Sequence, residues 1–309
     1  MSGVDAFFPA TDPQPRPAGR LDGVGRALRR ARPWSSARTS LWVGLALLGL
    51  VVLASALVPL LSPYGSNEIV AAPYEAPSWS HPFGTDSVGR DLFVRVFVAG
   101  RLDLAVAAII VVAALAVGSV LGTLAGGARR RWVDTALMRL VDAVIAFPFL
   151  VLVLVLVVVF GTERSLGPLP AGAPAVILGV ILGDWAFYAR LARGQTLALR
   201  ERDYVVAARV LGFSQPRIVL RHLLPGVVGT IAAYAVADAI LVMITVASLS
   251  FVGVGVQPPT PEWGALMYDG RAVLQDAWWI TVIPGVMLAL TGLGLSLVAD
   301  TLLSGRAER

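Results

Sequence analysis

Between two long apolar runs the chain reads DYVVAARVLGFSQPRIVLRHLLP over residues 203–225. Tyr204, Ala207, Ala208 and Leu211 recur at i, i+3, i+4 and i+7, so a helix here presents a narrow apolar face of small residues, flanked by Arg202 and Arg209. Asp203 is placed to cap its start, and Gly212 supplies the left-handed position that ends it. Ser214 with Pro216 opens a second short helix toward Arg221 and His222. Helix, glycine turn, helix is the expected local structure. Periodicity alone fits either a docking face or an ordinary amphipathic helix at a membrane boundary, and the flanking sequence separates the two.

The chain has 309 residues, 57% of them hydrophobic and 15% charged, with a mean hydropathy of +0.76. That is too apolar for a soluble domain of this length and indicates an all-α membrane protein. There are no cysteines, which excludes disulfides, thiolate metal sites and thiol catalysis, and the two histidines, His81 and His222, lie far apart. No metal site is expected. No stretch matches GxxxxGK[ST] and no carboxylate or histidine cluster has catalytic spacing, so the chain is expected to be no enzyme. All 25 basic residues are arginines, and the net charge of +5 comes from clusters beside apolar segments. The charge therefore reports on topology and not on nucleic acid, and no nucleic-acid partner is expected.

Residues 1–40, rich in Pro, Gly, Ala and Arg, are expected to form a mostly disordered cytoplasmic tail. Residues 41–61 form the first transmembrane helix. Ala54-Ser55-Ala56 looks like a cleavage site, but the polar leader is too long and the apolar run continues past it, so a retained anchor is expected. Residues 62–101 form an extracytoplasmic loop containing SHPFGTDSVGRDLFVRVFVAGR, with tight turns and a charge network at Gly84, Asp86, Gly89, Arg90 and Asp91. Residues 102–303 hold five more helices, at about 104–125, 143–160, 175–191, 227–254 and 278–303, which makes six transmembrane helices in all. Small residues in the second permit close packing, and Pro148 kinks the third. Residues 304–309 are a short cytoplasmic tail.

The tail, the 126–140 loop and the 190–226 loop carry seven, four and seven arginines, whereas the 160–174 and 252–277 loops carry one each. This bias places both termini and the 203–225 stretch in the cytoplasm. Arg90, Arg95 and Arg101 run against it, with Asp86, Asp91 and Asp103 near enough in sequence to pair with them.

With the stretch on the cytoplasmic side, it closely resembles the coupling loop of ATP-binding cassette importer permeases. That pattern is Glu-Ala-Ala, three residues, Gly, and Ile-x-Leu-Pro after nine more. Ala207, Ala208, Gly212, Leu224 and Pro225 keep the spacing, while Val206 stands for Glu and His222 for Ile. HPFGTDSVGRDLFVR (81–95) and SLSFVGVGVQPPTPEWG (248–264) resemble the second permease subunit of dipeptide and oligopeptide importers, a group that includes nickel and glutathione importers. The resemblance covers most of the chain from Leu41 to Asp300, and the usual Asp-Pro is absent after Asp300.

The resemblance implies the type I importer permease (MetI-like) fold in a bacterial cytoplasmic membrane. It implies a second homologous permease subunit, two ATPase domains or subunits, and an extracellular peptide-binding protein as partners. This chain would bind no cofactor, ATP and Mg being held by the ATPases. Asp203, Tyr204, Ala207, Ala208, Arg209, Leu211, Gly212 and Pro225 would couple to them. Asp184 and Asp238, acids inside spans, either face the path and meet a peptide ammonium or tie the helix bundle internally; Asp300 falls to the second use. Trp263, Tyr268 and Arg271 are candidates to touch the binding protein. The cargo is expected to be di- or oligopeptides, with nickel chelate or glutathione as alternatives. A proton-coupled secondary transporter is disfavoured by the absence of an inverted repeat or paired broken helices. A membrane scaffold would have no use for a small-residue cytoplasmic helix.

Overall fold

Apolar segments in lipid must satisfy their backbone groups internally, and this chain does so with helices alone. A computed structural model describes residues 34–128 and 130–307. The expectations for residues 1–33, for Arg129 and for the last two residues lie outside it. The helices are α1 (Trp34–Leu61), α2 (Leu92–Gly127), α3 (Arg131–Ile145), α4 (Phe149–Phe160), α5 (Ala173–Leu199), α6 (Asp203–Val210), α7 (Gln215–Ile218), α8 (Leu224–Phe251), α9 (Trp263–Gly270) and α10 (Trp279–Ala307). A π-helical stretch, Val219–Leu223, joins α7 to α8. Among the described residues there is no strand, only isolated bridges.

Five helical stretches are long and apolar enough to cross a bilayer: Arg38–Leu61, Leu92–Gly127, Ala173–Leu199, Gln215–Phe251 and Trp279–Leu303. The expected third span, 143–160, is not one kinked helix. The chain breaks at 146–148 and α3 meets α4 at 90°. Pro148 stands at the N-cap of α4, where its missing N–H is harmless. The 12 residues of α4 rise only about 18 Å, short of the roughly 30 Å hydrocarbon core. So α3 and α4 make a sixth span only as a broken pair. Arg193 grips Asp134 through Nε and Nη2 at 2.5 and 2.7 Å, and Arg190 reaches Asp142, fastening α3 along α5.

Other helices outrun their expected bounds. The 36-residue α2 begins at Leu92 and not near 104, since Asp91 Oδ1 accepts the Val94 N–H at 3.0 Å. Helix α1 begins at Trp34, inside the segment expected to be a disordered tail, and α10 continues to Ala307, into the expected C-terminal tail.

The bundle is organised around α2, which packs on α1, α5 and α8. Its contact with α5 runs along Gly118, Gly122 and Gly126, spaced to share one face. A Cβ at Gly118 would stand 2.4 Å from Tyr188 Cβ, at Gly122 2.2 Å from the Ala189 carbonyl oxygen, and at Gly126 2.9 Å from Thr196 Cβ. Backbone therefore lies on backbone, the close packing that small residues permit in lipid.

Residues 62–91 fold onto the start of α2. Asp86 Oδ1 accepts the N–H groups of Val88 and Arg90 at 2.9 and 3.0 Å, while its Oδ2 pairs with Arg90 Nε at 2.6 Å and Arg95 Nε at 3.2 Å. Arg95 also donates to Ser66 O at 2.8 Å and Pro259 O at 3.4 Å, joining this segment to the 252–262 loop. Gly89, at φ +87, has the Ala71 carbonyl oxygen 2.1 Å from where a Cβ would be, so only glycine fits. Two expected pairs are replaced. Asp91 binds His81 Nδ1 at 2.7 Å, and Arg101 turns to the carbonyls of Ser55 and Ala56, fixing α1 on α2.

Gly122→Leu is expected to destabilise the subunit by about 1–3 kcal/mol through overpacking, whereas Gly49→Ala on α1, with nothing within 4 Å, is neutral. Heating the detergent-solubilised protein and following loss of the monodisperse fluorescence-detected peak distinguishes them.

Candidate functional site

Helix α6 forms where expected and closes as expected. Leu211 is its C-cap and Gly212 lies at φ +78. Gly212 N donates to Arg209 O at 3.0 Å and Phe213 N to Ala208 O at 3.1 Å, the paired bonds of a Schellman ending. Its start differs: Arg202 is the N-cap, no side chain caps it, and Asp203 is the first helical residue. A carboxylate in the first turn still favours the helix dipole.

The apolar face is rotated relative to the expected one. Ala208 (4% exposed) and Val205 (0%) point inward and pack with Ile218, Val219 and Leu223, supported by Leu199 and Phe213. Ala208 is thus a clamp of α6 onto its own subunit and no part of the outer surface. Facing out are Tyr204, Ala207, Val206, Val210 (82% exposed) and Leu211 (72% exposed), with Arg209 on the flank. The sequence marks Val206 only as a replacement for Glu and does not single out Val210, because a four-residue stripe already accounts for the helix.

The second helix of the loop is continuous with a span. Pro225, in the first turn of α8 and exposed, has no N–H and its ring would crowd the carbonyl four residues back. The ladder shifts there to π-type bonds, with Leu224 N reaching Val219 O. Phe213 lies 5.9 Å from the His222 ring, and the Arg217 guanidinium sits 4.2 Å over Phe213. Phe213 thus packs between α6, α7 and the π-helical stretch that leads into α8.

Asp184 of α5 and Asp238 of α8 meet inside the bundle, 4% and 3% exposed. Tyr188 Oη donates to Asp238 Oδ2 at 2.8 Å, and Tyr234 stands edge-on to Tyr188 at 5.4 Å. One Asp184 oxygen has no partner among the described residues. Neither acid is open to a solute in this state.

The three loop candidates do not behave alike. Trp263 is fully buried, its N–H donating to Asp103 Oδ2 at 3.1 Å and its Nε1 to Val96 O at 2.9 Å. It holds α9 to α2 and has no surface for a partner. Arg271 is exposed, stacks 3.3 Å over the Tyr268 ring and donates to the Tyr268 carbonyl at 2.6 Å. Glu262, not singled out in the sequence, caps α9 by accepting from Gly264 N at 3.0 Å and Ala265 N at 2.8 Å. Burial pushes its carboxyl above the usual range, and those backbone bonds pull it back. No group of three or more metal-ligating side chains occurs among the described residues.

Long apolar helices around a tightly packed centre, with one short helix exposing an apolar ridge beside arginines, make this a multi-span membrane protein. The chain belongs to the family of binding-protein-dependent transport system inner membrane components, whose model matches residues 118–305. It is 35% identical over 266 residues to a putative peptide transport system permease protein of Brucella suis, covering 86% of each chain. To a dipeptide transport system permease protein of Alkalihalophilus pseudofirmus it is 32% identical over 277 residues, 87% of this chain and 88% of that one. To a glutathione transport system permease protein of Pectobacterium atrosepticum it is 36% identical over 228 residues, 74% and 72% of the two chains.

Tyr188→Phe is expected to cost about 1–3 kcal/mol by leaving a buried Asp238 oxygen without its donor; Tyr234→Phe, which removes no bond to Asp238, should cost far less. The midpoint of heat-induced aggregation of the purified subunit reads the difference.

Proposed function

We propose that this chain is the permease subunit that moves di- or oligopeptides inward across the membrane, driven through α6 by partner ATPases. The observation that carries the proposal is the exposed ridge of Tyr204, Ala207, Val210 and Leu211 on a helix whose other side is clamped to α7 and the π-helical stretch, with Leu199 of α5 beside it. A helix held so firmly on one side and left apolar on the other is shaped to be pushed. The relatives' names support a peptide cargo, with glutathione, itself a small peptide, as the alternative.

In this proposal both termini and α6 are cytoplasmic, a second permease subunit completes the pathway, and an extracellular binding protein delivers the cargo. Residues Tyr204, Val206, Ala207, Val210 and Leu211 enter a groove on the ATPase, Gly212 sets the exit angle, and Asp203 and Arg209 flank the contact. Ala208 and Pro225 act from within, the first holding α6 to the body and the second setting the helical register behind it. ATP and Mg belong to the ATPases. Closing of the ATPases shifts the spans only so far as they bind one state better, and a near-complete switch takes on the order of 5 kcal/mol of differential binding. Asp184 and Asp238 serve as an internal tie between α5 and α8. On the outer side, Tyr268 and Arg271 remain to meet the binding protein.

Ala207→Lys is expected to leave the subunit inserted and its thermal midpoint unchanged while abolishing ATP-driven uptake in proteoliposomes holding the whole transporter. Normal uptake in that variant, or uptake that ignores ATP and collapses with a proton ionophore, overturns the proposal. Asp238→Asn should lower uptake equally for peptides with free and with blocked amino termini; a loss confined to free amino termini would put Asp238 in the path of the substrate.

A further inference from the structure

The last carbonyls of α2 have no helical N–H to receive, and two side chains from the other end of the chain's cytoplasmic loop close them. Gln215 Nε2 donates to Gly127 O at 2.6 Å and Arg200 Nη1 to Gly126 O at 3.4 Å. Around these bonds lies an open cavity of about 410 Å³, lined by Gly127, Ala128, Arg200, Glu201, Arg209 and Gln215. The end of α2 forms one side, the end of α5 a second, and α6 and α7 the remainder. Two guanidiniums face one carboxylate, so the cavity is net positive. Arg209 makes no ion pair among the described residues, and Arg200 spends only one of its five N–H donors on the α2 carbonyl.

On α6, Arg209 lies between the inward pair Val205 and Ala208 and the outward ridge of Val206, Val210 and Leu211. A surface that covers the ridge therefore arrives at the mouth of the cavity. We infer that the cavity is a socket for an acidic side chain of the ATPase that docks on α6, received between Arg209 and Arg200. The inference rests on the coupling role proposed above and adds a second contact to it. A carboxylate matches the planar fork of a guanidinium, and apolar knobs beside arginines are the composition of a protein–protein hot spot. Glu201 on the rim tolerates one carboxylate seated between the arginines but opposes a dense sheet of lipid phosphates.

The socket changes where force is applied. A group seated in it bears on the ends of α2 and α5 directly, as well as on α6, and so drives the most closely packed pair of spans without relying on the thin α6–α7 connection alone.

The test uses the whole transporter in nanodiscs, with ATPase affinity for the permease pair measured at low and high salt. Arg209→Glu should weaken binding about tenfold at low salt, the gap narrowing at high salt. Glu201→Gln should strengthen it about threefold, a gain that a misfolded variant cannot give. A photo-crosslinking residue in place of Glu201 should label the ATPase. Wild-type affinity in both variants, while Ala207→Lys still abolishes uptake, removes the socket and leaves docking on α6 standing. A crosslink to phospholipid in place of the ATPase reassigns the cavity to a headgroup. Normal uptake in Ala207→Lys removes the docking and the socket together.

Discussion

The backbone contact between α2 and α5 governs the rest of the molecule. Water supplies no hydrophobic drive between helices inside a bilayer, so spans associate through close packing and a few buried polar bonds. Gly118, Gly122 and Gly126 bring the α2 surface to within a few ångströms of the α5 backbone over two turns. That approach fixes the rotation of α5, which in turn aims Asp184 and Tyr188 at α8 and leaves Arg190 and Arg193 to catch α3. The same contact ends at Gly126 and Gly127, where Arg200 and Gln215 tie the 200–225 loop to α2. One small-residue face thus sets the position of the buried acid pair, the broken helix pair and the base of the loop.

The polar chemistry is divided by purpose. Carboxylates in the 62–91 segment and at the head of α9 receive backbone N–H groups and arginines, so they act as joints: Asp86 collects two amides and two guanidiniums, and Glu262 caps α9. Arg190 and Arg193 bind acids of α3, Arg200 binds the Gly126 carbonyl, and Arg209 makes no ion pair among the described residues. Of the short helix α6, one side is packed and the other is an exposed apolar ridge.

Much of this was legible in the sequence, and the exceptions have physical causes. Apolar runs located five of the spans because a continuous run of that length has little other use. Gly212 announced the Schellman ending, since only glycine takes that conformation freely. Ala208 was misassigned because α6 is apolar around most of its circumference, with Val205, Val206 and Val210 beside the stripe. Which side faces inward depends on Ile218, Val219 and Leu223, and no local period encodes that. Trp263 looked like a surface aromatic because its partners, Asp103 and Val96, lie some 160 residues away in sequence. Pro148 was visible as a disturbance, but only the pairing of α3 with Arg190 and Arg193 turns a kink into a right angle.

The π-helical stretch at Val219–Leu223 forms the joint between loop and span. Such a stretch carries an extra residue within otherwise α-helical chain. Shifting one residue out of it turns everything on one side by about 100° and moves it by about 1.5 Å along the axis. Val219 and Leu223, both inside the clamp that holds α6, are the residues that such a slip would exchange for their neighbours. The packing under α6 and the winding of the chain into α8 thus share the same two residues.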